Sequence, residues 1–342
     1  MTGPARPGTP PRHAMVLTAG LGTRLRPLSL DRAKPAMPVC GEPLVRRILQ
    51  WLAAAGVRHV VLNLHHHPQT IAAAVGDGRD LGVTVRYSWE QPTLLGSAGG
   101  PRLALPLLEA DPFLLVNGDT LTDVDLDAMS AAHAGSGALV TMAAIAHPAP
   151  ARYGGLLVAD DGAVRGFTRP ASGVGALHFV GVQIASAAAF SRLPAGQPAD
   201  TVGALYPALI AERPGSVRAF VTSASFADIG TPADYLAASL ALAAAGGLAD
   251  LPYGRNVRLG PGAHVERTIL WDDVEVGRDS RLLECIVGDG VRIPGGTRLT
   301  RCAIVRADGR PPAAGERLDG ALLIAPFAPA DRTAAAARLP SL

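Results

Sequence analysis

Residues 259–309 repeat every 17 positions, and that period restricts the fold more tightly than any other feature of the chain. Leu259, Val276 and Ile293 superpose, as do Val265, Leu282 and Leu299, and then Leu270, Val287 and Ile304, so an apolar residue returns every five or six positions. Short strands joined by glycine-rich corners at this spacing predict a parallel β-helix, in which each coil buries its inward side chains on the next. Three coils are expected, over 259–275, 276–292 and 293–309. Cys285 and Cys302 fall in one column with Thr268 and read as small inward-facing residues. With Cys40 they show neither metal-ligand spacing nor a disulfide framework, which points to a reducing, cytoplasmic setting.

Upstream of the repeat, strand-like and helical runs alternate as they do in a parallel α/β sheet. Residues 14–18 and 57–64 are apolar strands, a helical stretch over 44–55 precedes the second, and another over 101–108 precedes the strand 113–116. Each such unit brings a strand end to the same edge, where open α/β sheets bind ligands. A chain of 342 residues has room for one α/β domain and a smaller module, here 14–247 and 255–310. The proline- and glycine-rich residues 1–13 are expected to be a disordered leader, and 311–342 a loosely structured tail. A net charge of +2 argues against a nucleic-acid partner, and no apolar run approaches a membrane span. The run His65-His66-His67 has no acidic partner at matching spacing, so no metal role is expected of it.

Only one of the 31 basic residues, Lys34, is a lysine. It follows a short loop, Thr18-Ala19-Gly20-Leu21-Gly22-Thr23-Arg24, that leaves the first apolar strand. Glycines there let backbone N–H groups face an anion, and an ammonium is a compact point charge that arginine does not replace. The loop is neither a dinucleotide fingerprint, whose third glycine would fall at Leu25, nor a P-loop. A-G-L-G-T-R-L-R-P-L followed by K-P resembles the signature of the sugar-1-phosphate nucleotidyltransferases, the nucleotide-sugar pyrophosphorylases.

Two acidic segments extend the resemblance. Asp119, in Val116-Asn117-Gly118-Asp119, stands past a buried strand and is either a Mg²⁺ carboxylate or the cap of an Asx turn. Asp228, in Asp228-Ile229-Gly230-Thr231-Pro232, precedes a helix start with Thr231 as N-cap and Pro232 as first residue, and is either a structural acid or a metal ligand. The resemblance implies that both bind the catalytic Mg²⁺. It also implies that Arg24 and the glycine loop hold the departing pyrophosphate, that Lys34 neutralises developing charge, and that Glu90, Gly96, Ser97 and Gly118 lie at the nucleotide. The L-G-S-A-G form at 95–99 leans towards mannose-1-phosphate guanylyltransferase-like members.

On the sugar side the pattern departs from the family. Tyr153-Gly154 matches, but Glu-Lys-Pro is replaced by Thr168-Arg169-Pro170, and the Asn usual two residues before Gly181 is absent. Arg169 retains the ability to clamp a phosphate. The family implies a Rossmann-like catalytic domain, with left-handed β-helices as known appendages. No histidine base is evident in the three coils, which argues against acyl transfer and for dimerisation or domain bracing in a homo-oligomer. The implied reaction joins a nucleoside triphosphate and a sugar 1-phosphate into a nucleotide sugar and pyrophosphate. Uridylyl, cytidylyl or thymidylyl transfer to another sugar phosphate, and a non-catalytic regulatory subunit, stand as alternatives.

Overall fold

The computed structural model describes residues 9–172 and 175–328. They divide into two compact units: one takes in the described residues up to Gly20 together with Val45–Phe226, the other Leu21–Leu44 and the described residues from Ala227 onward. In this grouping the segment carrying Arg24 and Lys34 goes with the C-terminal part of the chain.

The first unit is built on a nine-stranded mixed sheet. Its strands are β1 (His13–Leu17), β2 (His59–Leu64), β3 (Thr84–Trp89), β4 (Phe113–Asn117), β5 (Val140–Ala146), β6 (Leu156–Val158), β7 (Val164–Phe167), β8 (Leu177–Ala185) and β9 (Val217–Val221). The order is β7-β6-β8-β4-β1-β2-β3, with β5 also on β8 and β9 on β5. Met15 lies opposite Val61 on one side and Leu115 on the other, in parallel register. Parallel β1, β2 and β4 therefore end at one edge, and the loops after them carry Thr18, His65 and Asp119. Both faces of these strands are apolar because helices cover them.

Those helices are α1 (Leu44–Ala54), α2 (Pro68–Val75), α3 (Gly96–Leu108), α4 (Leu126–Ala134), α5 (Ala187–Phe190) and α6 (Tyr206–Glu212). Buried Met15, Phe113, Leu115, Phe190 and Tyr206 join the sheet to α3, α5 and α6 in one core. α3 starts five residues before the expected 101, with Pro101 and Pro106 inside it. Its glycines pack on protein: a Cβ at Gly96, whose φ is +75°, would meet the Ala199 carbonyl oxygen at 2.7 Å, and one at Gly99 the Gln197 carbonyl oxygen at 2.4 Å.

The end of the expected leader is part of the sheet. Arg12 already accepts hydrogen bonds from the Arg58 and His59 amides, and His13 opens β1 with its ring stacked on His59. Residues 1–8 of the expected leader lie outside the described residues.

The second unit joins the Leu21–Leu44 segment, the helix α7 (Pro232–Ala245) and the coils. Thr231 caps α7, its hydroxyl accepting from the Asp234 amide at 3.2 Å, and Pro232 is the first helical residue, as the sequence predicts. The coils run in parallel register at the predicted 17-residue offset: Arg258, Glu275 and Arg292 align, as do Val265, Leu282 and Leu299, and Ile269, Ile286 and Ala303. Val276, Leu282, Cys285, Val287, Ile293, Cys302 and Ile304 fill the interior. On the outside the ladder alternates charge: Glu275 lies 3.3 Å from Arg258 and 3.4 Å from Arg292.

The coil ends differently from the expected loose tail. Leu322–Pro326 pairs antiparallel with Cys302–Arg306 and then with Arg317–Asp319, so a hairpin covers the edge that a fourth coil would have continued. The rest of the expected tail, 329–342, lies outside the described residues. None of the described helices is long and apolar enough to cross a membrane.

Candidate active site

At the end of β1, Thr18 is fully buried and its polar atoms are consumed inside the protein. Its amide donates to Asn63 Oδ1 at 2.7 Å and its hydroxyl to the Asn63 carbonyl at 2.5 Å. Asn63 in turn donates from Nδ2 to Glu90 Oε1 at 2.7 Å, while Glu90 Oε2 accepts the Leu95 amide at 2.7 Å. Glu90, expected at the nucleotide, is 0% exposed, and its carboxylate ties β2 to the start of α3. Asn63 was missed, although one amide in the apolar run Val60-Val61-Leu62-Asn63-Leu64 is a visible signal. Ser97 is likewise engaged, with Asp200 Oδ2 at 3.1 Å and the Thr201 hydroxyl at 3.0 Å. Ala19 is buried, and Gly20 is exposed with open space where a Cβ would stand.

Gly118 is required by its surroundings. A Cβ there would lie 2.4 Å from the Leu17 carbonyl oxygen, a backbone atom that cannot swing away. Half-buried Asp119 follows, its Oδ1 accepting from the Thr120 hydroxyl at 3.2 Å. Gly118→Ala is expected to shift this turn, costing about 1–3 kcal/mol of stability by overpacking. It should also lower turnover roughly a hundredfold if Asp119 moves by an ångström. Thermal unfolding and steady-state rates on one preparation check both; unchanged values would mean that the turn tolerates the methyl group.

In the second unit, Gly22 adopts a left-handed φ of 60° and starts the turn Thr23–Leu25. A Cβ on it would meet Ser29 Cβ at 3.3 Å and Lys34 Cβ at 3.5 Å, so the glycine lets the loop close onto the lysine. Lys34 is buried, and its Nζ lies 3.8 Å from Asp228 Oδ1. A Cβ on Gly230 would meet the Asp228 carboxylate at 2.5 Å. Leu21, Thr23 and Arg24 are exposed. Predicted residues Gly22, Lys34 and Asp228 are thus brought together, with the loop arginine at the surface. Among the described residues no group of three or more His, Cys, Asp or Glu side chains could hold a metal. Magnesium needs less, since one or two carboxylates suffice with water and substrate phosphates. Asp119 in the first unit and Asp228 in the second each offer one carboxylate of that kind.

The predicted sugar-side residues belong to the first unit. A Cβ on Gly154 would meet the Thr168 carbonyl oxygen at 2.3 Å, and the Thr168 hydroxyl accepts the Gly155 amide at 3.0 Å, so Gly154 and Thr168 are one structure. Gly181, with φ +85°, lies against Asn117, whose Cβ is 2.9 Å from a Cβ built there. Its glycine therefore serves the Asn117-Gly118-Asp119 turn. Arg169 is exposed.

Beside them, His178 is 6% exposed, with ring centroids of Phe226, Tyr153 and His147 at 4.5, 4.9 and 5.2 Å. Burial, reinforced by His147 and opposed by the Gly154 carbonyl, pushes its imidazole down to about 4. The folded protein holds it neutral while the unfolded chain protonates near the ordinary 6.5. Stability from this group is therefore complete above about pH 6.5 and lost as pH falls towards 4. Between pH 7.5 and 4.5 the loss is about 2 kcal/mol. Denaturant unfolding of wild type and His178→Phe at both pH values should show a smaller acid loss in the variant; equal losses would contradict the neutral, buried imidazole.

The first unit thus carries an acidic turn past a parallel strand, and the second a glycine turn closed on a lysine. Residues 13–245 match the Nucleotidyl transferase family, and residues 252–301 match the GlmU-like, C-terminal hexapeptide family. The chain belongs to the nucleotidyl transferase family. It is 30% identical over 304 residues to mannose-1-phosphate guanylyltransferase of Mycobacterium tuberculosis, covering 84% of this chain and 83% of that protein. A segment of 115 residues is 46% identical to N-acetylmuramate alpha-1-phosphate uridylyltransferase of Neisseria meningitidis, covering 34% of this chain and 50% of the relative. HddC from Yersinia pseudotuberculosis, solved also in complex with GMP-PN, superposes with a TM-score of 0.58 at 26% identity, over 67% of this chain and 98% of that one.

Proposed function

We propose that the enzyme transfers a nucleotidyl group to a sugar 1-phosphate, with guanylyl transfer to mannose 1-phosphate as the leading substrate pair. The observation that carries the reaction is the turn at Gly22 closed onto the buried Lys34, which is paired with Asp228. Similarity to the guanylyltransferase over both the catalytic and the repeat regions supports the base and the sugar. A phosphate oxygen of the sugar 1-phosphate attacks the α-phosphorus, the bond to the β-phosphate oxygen breaks, and pyrophosphate leaves. Backbone groups of Gly20 to Gly22 and the side chain of Arg24 receive the leaving group's charge. Lys34 neutralises charge that grows on the transferred phosphate, so catalysis is mainly positioning and electrostatics. Asp119 and Asp228 would hold Mg²⁺, which when bound supplies charge neutralisation at phosphate oxygens.

A second reading is uridylyl transfer to N-acetylmuramate 1-phosphate, favoured by the 46% identical segment and by the altered sugar motif at Thr168-Arg169. Pyrophosphate release with Mg²⁺, each nucleoside triphosphate and a panel of sugar 1-phosphates separates the two. GTP with mannose 1-phosphate should give the highest kcat/KM; preference for UTP with the N-acetylmuramate ester would select the second. We also propose a cytoplasmic location, supported by three free thiols and tested by fractionation, and a homo-oligomer, tested by light scattering.

A further inference from the structure

The coils do more than extend the chain. Asp272 and Asp289 occupy the same column on successive coils, 17 residues apart, with Arg255 before them and Arg306 after them. Two carboxylates stacked on the turns of successive coils repel each other. Here the guanidinium of Arg32 is inserted between them: Nε lies 2.5 Å and Nη2 2.6 Å from the two oxygens of Asp289, and Nη2 also lies 3.0 Å from Asp272. The same guanidinium stands over the indole of Trp271, 5.1 Å from its centroid. Burial alone would lower the Arg32 pKa, but the carboxylates more than offset it, so the group stays charged.

The neighbouring attachments have the same direction. Asp31 accepts from Arg310 at 2.9 Å. Trp271, fully buried, donates to the Tyr235 hydroxyl at 3.0 Å, and that hydroxyl donates to the Pro38 carbonyl at 2.5 Å. Residues 31–38 are therefore fastened at Asp31 and Arg32 to the coils and at Pro38 through Tyr235 to Trp271. Between these points lies the turn Lys34–Ala36.

We propose that Arg32 is a positioning residue, through which Trp271, Asp272 and Asp289 of the β-helix set the place of Lys34 for catalysis. This rests on the reading of Lys34 as a catalytic cation. A bidentate fork stacked on an aromatic ring is a geometry that lysine does not reproduce. An ångström of displacement at a reacting charge costs roughly a hundredfold.

The test compares wild type, Arg32→Ala, Arg32→Lys and Asp289→Asn in the full-length chain. Pyrophosphate release by wild type tests the proposed function alone; the ratios to wild type test the brace. Arg32→Ala should lower kcat roughly ten- to a hundredfold with KM for both substrates within about twofold, Arg32→Lys should recover little, and millimolar guanidinium should partly restore Arg32→Ala. Hydrogen exchange gives a readout independent of turnover: amides of residues 33–37 should exchange faster in Arg32→Ala and Asp289→Asn. Should Arg32→Ala fail to fold, Asp289→Asn carries the same comparison. Wild-type kcat, or unchanged exchange over 33–37 in a folded variant, would overturn the proposal.

Discussion

Replacing Lys34 with alanine is expected to slow turnover roughly a hundred- to a thousandfold, the cost of one well-aimed charge contact in a preorganised site. Lys34→Arg isolates the catalytic part of that loss. It keeps a cation for Asp228, whose carboxylate lies 3.8 Å from Nζ, so the fold should stay close to wild type in thermal unfolding. The planar guanidinium nevertheless misplaces the charge, because Gly22 closes the loop onto the lysine stem with 3.5 Å to Lys34 Cβ. Lys34→Ala, by contrast, should also lose stability, since it leaves a part-buried carboxylate without its cation. Steady-state kinetics and unfolding on both variants check this. Wild-type kinetics in Lys34→Arg would remove the lysine from the chemistry, because the chain already uses arginine at its other 30 basic positions.

The second large effect is expected at the carboxylates. Asp119→Asn and Asp228→Asn are nearly isosteric and should fold, yet each should lower Mg²⁺-dependent turnover roughly a hundredfold or more and raise the Mg²⁺ concentration needed for half-maximal rate. The Mg²⁺ titration distinguishes a metal ligand from a turn cap. A cap variant would lose stability and keep the wild-type Mg²⁺ midpoint. Near-normal rates in both variants at limiting Mg²⁺ would contradict the assignment.

Legibility in the sequence followed the reach of the interactions. The coils were readable in advance because every coil repeats one environment, and the register at an offset of 17 needs nothing beyond neighbouring strands. The Thr231 cap is local and equally plain. The start of α3 was obscured because three glycines look like a flexible, ligand-facing segment. Their small size is instead used against residues 197–199, which are distant in sequence, and against the Glu90 carboxylate. Glu90 itself shows what residue type alone leaves out: its carboxylate is held by Asn63 and the Leu95 amide, partners that only the fold brings to it. Arg32 was one arginine among many until the stacked pair Asp272 and Asp289 gave it a place. The strands at 317–326 carry no repeat, and their reason for forming is the open edge of the third coil.

Phosphorus-31 NMR of a reaction containing enzyme, Mg²⁺, GTP and mannose 1-phosphate tests sugar-1-phosphate nucleotidyl transfer most directly, because it follows every phosphorus atom at once. The expected result is a new sugar-linked diphosphate and pyrophosphate appearing in equal amounts, with neither formed when either substrate is omitted and UTP with N-acetylmuramate 1-phosphate as the parallel arm. Release of phosphate or pyrophosphate without the sugar ester, or a nucleotide sugar that binds while no triphosphate and sugar 1-phosphate pair is turned over, would contradict it.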